Sequence, residues 1–332
     1  GGIFAISNSD PNISRCIIRN NAASNGGGVE CTSYSDMTVT NCVFDNNIVS
    51  GSGGGVRCRD HSSVVLDSCI FTNNVSNNGG SGISCGDYTD AVIRDCKFHG
   101  NVSSGNGGSI SIGGSSNHII VNCTITGGIS NRGGGIACLS GSPTISYCTI
   151  AGNNAHYGGG GVYLQGNDIA AIIRSCTISG NWAGEQGGGI YCEYSSPKIN
   201  NCTIGQNAAI GKGGGIYCYS TLLDPVIKNS IVSGNSSECG VYARYSSPIL
   251  LYNNVYGNAG SDYSGWATAG EGDISVDPCF INPGYWDDPC NTPGNLSDDV
   301  WVDGDYHLHH DSLCINAGDP CFVPDPCEID MD

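Results

Sequence analysis

Residues 187–207 read GGGIYCEYSSPKINNCTIGQN, and close copies of that phrase recur along most of the chain. Three glycines ahead of a strand-like run can cradle a phosphate or punctuate a repeat, and spacing separates the two readings. Aligned on the last residue of each triplet, the series is Gly28, Gly55, Gly82, Ser109, Gly135, Gly161, Gly189, Gly215 and Gly240, in steps of 25 to 28 residues. A second column runs through Cys16, Cys42, Cys69, Cys96, Cys123, Cys148, Cys176 and Cys202, then Ser230 and Asn253. Five residues after each lies a third: Asn21, Asn47, Asn74, Asn101, Gly128, Asn153, Asn181, Asn207, Asn235 and Asn258. Three landmarks in fixed register define a repeat of about 26 residues. No GK[ST] follows the glycines, so the phosphate-loop reading is set aside.

Within one repeat Ile190 and Cys192 share a parity and Tyr191 takes the other face, as in a strand. Ile199 opens a second run, and Cys202 with Ile204 a third of shifted parity, which predicts a coil of about three short strands. One coil cannot bury its Ile, Val, Cys and Phe side chains, whereas stacked coils share a continuous core. The expected fold is therefore all-β: a parallel β-helix of about ten coils over residues 1–258, roughly 50 Å long at ~4.8 Å per coil. The glycines turn the chain where φ must be positive or a neighbouring coil comes close. The asparagines are expected to form an internal hydrogen-bonded ladder.

Composition narrows the function classes. The 332 residues include 52 Gly and 20 Cys, with 12 Lys plus Arg against 30 Asp plus Glu, a net charge of −18. Binding to nucleic-acid phosphates needs clustered cations, so that class is excluded, and cations or basic partners fit better. The longest aliphatic stretch, near residues 169–173, is too short for a membrane span. Gly1 opens no signal-peptide pattern, so the chain is read as mature or trimmed.

The pairings Gly26-Gly27-Gly28-Val29 with Phe44-Asp45-Asn46-Asn47, and Gly53-Gly54-Gly55-Val56 with Phe71-Thr72-Asn73-Asn74, resemble the GGA[ILV] and FxxN repeats of polymorphic outer membrane proteins; Phe98-His99-Gly100-Asn101 is similar. More broadly, residues 1–258 look like secreted right-handed parallel β-helix proteins of the pectate-lyase-like type. The resemblance implies a right-handed coil and an extracellular or cell-surface setting in bacteria. It leaves activity open, because the same coil serves adhesins, structural surface proteins and polysaccharide enzymes. The membrane proteins end in a β-barrel translocator, and these 332 residues contain no stretch that reads as one.

Beyond Asn258 the repeat gives way to Asp, Pro and aromatic residues, and 259–332 is read as an irregular cap that wraps the last coil and hides its pairing edge. Gly1-Gly2-Ile3 reads as mid-coil. Together with the polar ending CEIDMD, this raises head-to-tail stacking of copies into a filament.

Five repeats hold two inward cysteines, Cys31/Cys42, Cys58/Cys69, Cys85/Cys96, Cys138/Cys148 and Cys192/Cys202, whose spacing suits cross-core disulfides in an oxidising compartment. Ile112 and Leu164 stand at the first position in two other repeats, so stacked buried thiols are the competing reading. Cys279, Cys290, Cys314, Cys321 and Cys327 lie in loop-like sequence where bridges are expected. Tyr163, Tyr191, Tyr217 and Tyr242 fall on the outward side of successive first strands, as a sugar-stacking stripe or a self-stacking ladder. Arg57, Arg59, Asp60 and His61 form the conspicuous charged cluster that a polysaccharide lyase or hydrolase would need. No cofactor is required by the pattern. Asp298, Asp299, Asp303 and Asp305 are the best Ca²⁺ candidates, and His307, His309 and His310 the transition-metal candidates. Asn-x-Ser/Thr strings such as Asn74-Val75-Ser76 and Asn295-Leu296-Ser297 are those an Asn- and Ser-rich chain contains by chance. The functional expectation is a non-enzymatic extracellular structural or surface protein, with self or a surface polysaccharide as partner. An adhesin or carbohydrate-binding module, or a polysaccharide enzyme, are the alternatives.

Overall fold

The structure is a computed structural model that describes residues 1–86, 88–114, 117–166, 170–219, 224–287, 300–315 and 317–321. Among them the chain winds into a parallel β-helix with sheets of eleven, ten, ten and eight strands. The first sheet runs from Ile3–Ala5 to Tyr263–Gly265, the second from Asn12–Ser14 to Ile249–Leu251, and the third from Ile17–Arg19 to Asn254–Tyr256. The fourth runs from Ala22–Ala23 to Ala208–Ala209. Each strand pairs in parallel with its equivalent one coil on, so sequence columns become spatial columns: Val29 stands against Val56 and Cys31 against Cys58.

The coil holds four strands where the repeat pattern suggested three. A residue with positive φ precedes each ladder position, as at Asn46, Asn73 and Gln206. The chain then runs extended for only two residues, such as Ile48–Val49 with Ile48 exposed and Val49 buried. Two residues are too few for a period-2 signal.

The glycine triplets have separate tasks. The first glycine takes a left-handed φ, 72° at Gly53 and 64° at Gly187. The third needs close approach: a Cβ on Gly55 would lie 2.6 Å from the Gly82 carbonyl oxygen and 2.8 Å from Phe71 Cδ1. Inside, Phe44, Phe71 and Phe98 stack face to face at 4.7 and 4.8 Å within one continuous apolar core. Such a core is buried by stacking and by no single coil alone.

The C-terminal segment only partly follows the cap expectation. Residues 259–276 extend the coil, with Tyr263–Gly265 pairing to Val241–Ala243 and Ile274 bridging Asn254. The chain then doubles back along the side of the rod. Phe280–Asn282 pairs antiparallel with Asp305–Leu308, and Tyr285–Asp287 with Val300–Val302. This strap reaches Gly152 and Gly180, where a Cβ would lie 3.1 and 1.9 Å from Trp301 atoms. Glycine in those two coils leaves the room the indole occupies, a fit that composition alone could not disclose.

Candidate functional site: ladders, the tyrosine face and the cleft under the strap

The asparagine column forms two hydrogen-bonded runs. Asn21, Asn47, Asn74 and Asn101 pass Nδ2–H to the next Oδ1 at 2.9 to 3.0 Å, and Asn153, Asn181, Asn207, Asn235 and Asn258 do so at 2.8 to 3.0 Å. Asn181 shows the full valence. Its Nδ2 donates to the Ile150 carbonyl and to Asn207 Oδ1, while its Oδ1 accepts from the backbone N and Nδ2 of Asn153. Two donors and two acceptor sites are all satisfied in a buried place where an orphan would be costly. The run breaks at Gly128, whose own N–H donates to Asn153 Oδ1.

The cysteines correct the disulfide expectation. All described cysteines are free. The cysteines line up along columns rather than across the core: Cys31 stands in register with Cys58 and Cys192 with Cys218, and the thiols donate to backbone carbonyls, Cys31 to Ser35 at 3.0 Å and Cys96 to Arg94 at 3.1 Å. Parallel register explains this, because it places the same repeat position of the next coil directly above. In the second cysteine column Sγ also accepts backbone N–H, from Cys16 to Cys42 at 3.4 Å and from Cys148 to Cys176 at 3.5 Å. Ser230 and Asn253 continue that function, accepting from Cys202 N and Ser230 N. Burial pushes the Cys85 and Cys138 thiols up to about 12, so these sulfurs are inert at neutral pH. Cys290 and Cys327 lie outside the described residues.

Tyr163, Tyr191, Tyr217 and Tyr242 stand in register on the outward side of the first sheet. The open sugar-stacking stripe is not what they form. Tyr163, Tyr191 and Tyr217 are 0%, 9% and 4% exposed. Their rings pack on one another at 5.4, 4.9 and 5.2 Å, with Tyr242 as the last. The Asn154–Gly158 strand comes down over Tyr191, so close that a Cβ on Gly158 would lie 2.5 Å from its Cδ1. The Arg132 guanidinium covers Tyr163 at 5.7 Å, and Lys212 covers Tyr242 at 4.7 Å. The Tyr163 hydroxyl donates to Glu193, and burial raises this phenol above its ordinary range.

A second aromatic series lies one turn further along the coil. Tyr194, Tyr219, Tyr245 and Trp266 follow one another at 5.2, 5.8 and 5.8 Å with edge-to-face geometry. Tyr245 and Trp266 are 45% and 57% exposed. Near the other end Tyr34, His61 and Tyr88 stack in parallel at 5.0 and 4.7 Å. The sequence did carry a signal for these: an aromatic ring two or three residues after the inward Cys31, Cys58, Cys85, Cys192 and Ala243. Tyr34, His61, Tyr88, Tyr194 and Tyr245 all have positive φ, so the turn holds the ring outside the coil.

On the far side a cleft of about 870 Å³ separates the strap from the third sheet. Thr149, Thr177 and Thr203 line its floor, and Asp303, Tyr306 and His307 its roof. Lys228 to Asp319 at 2.6 Å and Asn254 Nδ2 to Cys314 Sγ at 2.9 Å hold its lower edge.

The description "right handed beta helix region" matches residues 1–106 and 101–258, more than half of the chain. The chain belongs to the right-handed β-helix family. Neither a search of curated proteins nor one of solved structures finds a match. The GGA[ILV]/FxxN subtype therefore stays a resemblance of residues.

The remaining candidates of this β-helix are placed as follows. Arg57 and Arg59 both bind Glu30, at 3.1 and 3.3 Å, and Arg59 binds Asp60 at 2.7 Å. Asp60 also accepts from Thr32, and His61 lies between Tyr34 and Tyr88. The charged cluster is thus a set of ion pairs closed on itself. Asp298 and Asp299 lie outside the described residues. Asp303 accepts from Trp301 Nε1 at 2.7 Å, and Asp305 accepts from His307, which holds its carboxyl below the usual range. Among the described residues no helix is long and apolar enough to cross a membrane.

Proposed function

We propose that this β-helix is a non-enzymatic extracellular structural or surface protein, a stiff rod whose work is to hold distance and present its sides. One observation carries the reading: the side-chain ladders run coil to coil through the interior. Bending the rod would open buried hydrogen bonds in the Asn181 column, at a cost of about 1–3 kcal/mol for each group left unpartnered. Head-to-tail stacking into a filament is not part of this reading. At the C-terminal end the ladders run into Asp262 and Asp273, which accept and offer no donor to a further coil. A second reading, a surface that binds polysaccharide, is favoured by the ring series Tyr194, Tyr219, Tyr245 and Trp266, half-buried at its first two members and exposed at its last two.

The test is incubation with neutral and acidic polysaccharides, reading both retention and new chain ends. The rod reading expects neither turnover nor retention, with straight single rods in negative stain. Retention lost in Tyr245→Ala/Trp266→Ala would move the conclusion to the second reading. Turnover abolished by Arg57→Ala or Asp60→Asn would overturn both.

A further inference from the structure

We propose that the tip of the strap is a binding site for a first-row transition-metal dication, Zn²⁺ above all, with His309, His310 and Asp311 as its ligands. The inference is independent of the rod reading. The three residues offer one nitrogen, one nitrogen and one carboxylate oxygen, all within 4.8 Å of one another. Donor atoms bound tetrahedrally at ~2.0–2.2 Å from zinc stand roughly 3.3 Å apart. Asp311 stands near that distance from each imidazole, through a different oxygen in each case: His310 Nε2 to Oδ1 is 3.2 Å, and His309 Nδ1 to Oδ2 is 3.6 Å. The imidazole centroids lie 4.2 Å apart. Two borderline nitrogens and one hard oxygen suit zinc, copper or nickel and do not suit Ca²⁺, which takes six to eight oxygens.

The backbone holds this tip from both sides. His309 N–H donates to the Cys279 carbonyl at 2.8 Å, and Ser312 N–H closes the turn on the His309 carbonyl at 2.8 Å. The Ser312 hydroxyl, itself buried, donates to the Pro278 carbonyl at 2.7 Å. The Asp311 N–H reaches His309 Nδ1 only at 3.5 Å, a long contact that a metal bound at that nitrogen would displace. Three exposed donors on a pinned four-residue turn lose little backbone freedom on binding, and the remaining coordination positions are left to water or to a partner's ligand. His307 lies outside this group of mutually close donors, and its Nδ1 faces Asp305.

The test is calorimetric titration of the full chain with Zn²⁺ alone, after alkylation of its accessible thiols, Cys16, Cys279 and Cys321 among them. One equivalent is expected to bind, and affinity to fall more than ~10-fold in His309→Ala/His310→Ala and in Asp311→Asn. His307→Ala should leave it unchanged, as should an excess of Ca²⁺. Three outcomes would overturn the site: no binding in the alkylated chain, binding that survives the double substitution, or a loss that tracks His307. All four positions are exposed, so unchanged circular dichroism is expected in each variant and a fold defect would show there.

Discussion

Asn258 Nδ2 donates to Asp262 Oδ1 at 2.9 Å, and in the neighbouring column Asn253 Nδ2 donates to Asp273 Oδ1 at 3.0 Å. Both ladders therefore end on a carboxylate. The direction of the hydrogen bonds explains the choice, since every amide donates toward the C-terminal end and the last one needs an acceptor. The second oxygen of each carboxylate also accepts, from Ser275 at Asp262 and from Tyr263 and Gly270 at Asp273, so an amide there would set a donor against donors.

The same geometry predicts opposite tolerances. Asn181→Asp sets a carboxylate oxygen against the Ile150 carbonyl and Asn207 Oδ1, removing the side-chain donor to both and leaving Asn207 Oδ1 only the backbone N–H of residue 181. Asp273→Asn keeps the shape at the terminus, yet one oxygen that accepts from Tyr263 and Gly270 becomes a donor group. Chemical denaturation should show both variants destabilised, by about 1–3 kcal/mol for each orphaned group, with Asn181→Asp the worse. A neutral Asn181→Asp would sink the ladder account.

The second cysteine column yields a substitution test. Cys176 Sγ accepts the Cys148 N–H, as Ser230 Oγ accepts the Cys202 N–H elsewhere in that column. Cys176→Ser should cost little, whereas Cys176→Val leaves a buried N–H unpartnered at about 1–3 kcal/mol. At Cys138, whose column also admits Ile112 and Leu164, the order reverses and Val should be the better replacement. Thermal melts of the four variants decide whether the two columns differ in this way.

His118 makes stability depend on pH. It is buried on the turn after the first sheet, where Nδ1 accepts the Ala91 N–H at 3.2 Å. Burial lowers its proton affinity below the ordinary value of 6.5, and the Asp90 carboxylate offsets that only in part. Above 6.5 neither state binds the proton. Below it the unfolded chain binds first, so stability falls as pH drops toward the folded value and the loss is complete beneath it. Melting temperature from about pH 8 to about pH 5 should fall less in His118→Asn, which keeps an acceptor and does not titrate. Equal slopes would refute the assignment.

Columns with one residue type per coil were legible because parallel register copies sequence period directly into space. Gly28, Asn47 and Cys42 announced the coil, its turns and its interior. The outward tyrosines misled, because parity reports which side of a strand Tyr191 faces and not whether Asn154–Gly158 returns to cover it. The strap was illegible for a related reason: Trp301 and Gly180 are far apart in sequence and share no period. Cys31 and Cys42 suggested a bridge by their spacing along one coil, while the nearer neighbour of Cys31 is Cys58.

Ser109 and Gly128 are a compensating pair. In other coils a third-position glycine faces the ladder asparagine of its own coil, as Gly161 faces Asn181 Nδ2, 3.0 Å from where a Cβ would stand. In this one coil the glycine is Ser and the asparagine is Gly, and a Cβ on Gly128 would lie 3.1 Å from Ser109 Oγ. The Ser109 hydroxyl is buried without a partner. Ser109→Ala keeps the filled space and removes the orphan, so denaturation should show it neutral or stabilised by up to about 1 kcal/mol. Gly128→Ala should be destabilising, because its Cβ would also meet the Gly134 carbonyl oxygen at 2.3 Å.

Trp301 anchors the strap. Its ring fills the space over Gly152 and Gly180, and Tyr306 lies over Gly205, where a Cβ would be 3.1 Å from the Tyr306 ring. Truncating a large aromatic at such a contact costs about 3–5 kcal/mol when fully buried and less at a half-exposed edge. The strap's polar ties to the coils, Lys228 to Asp319, the Asp319 N–H to Asn229 Oδ1 and Asn254 Nδ2 to Cys314 Sγ, lie beyond Leu308 and do not replace it. Trp301→Ala should speed hydrogen exchange and proteolysis across residues 300–321 while the coils keep their protection. Gly180→Ala places a methyl within the indole and should reproduce that pattern from the other side of the contact. Matched exchange profiles in the two variants are the expected result, and loss of protection confined to the coils would show that the strap is held elsewhere.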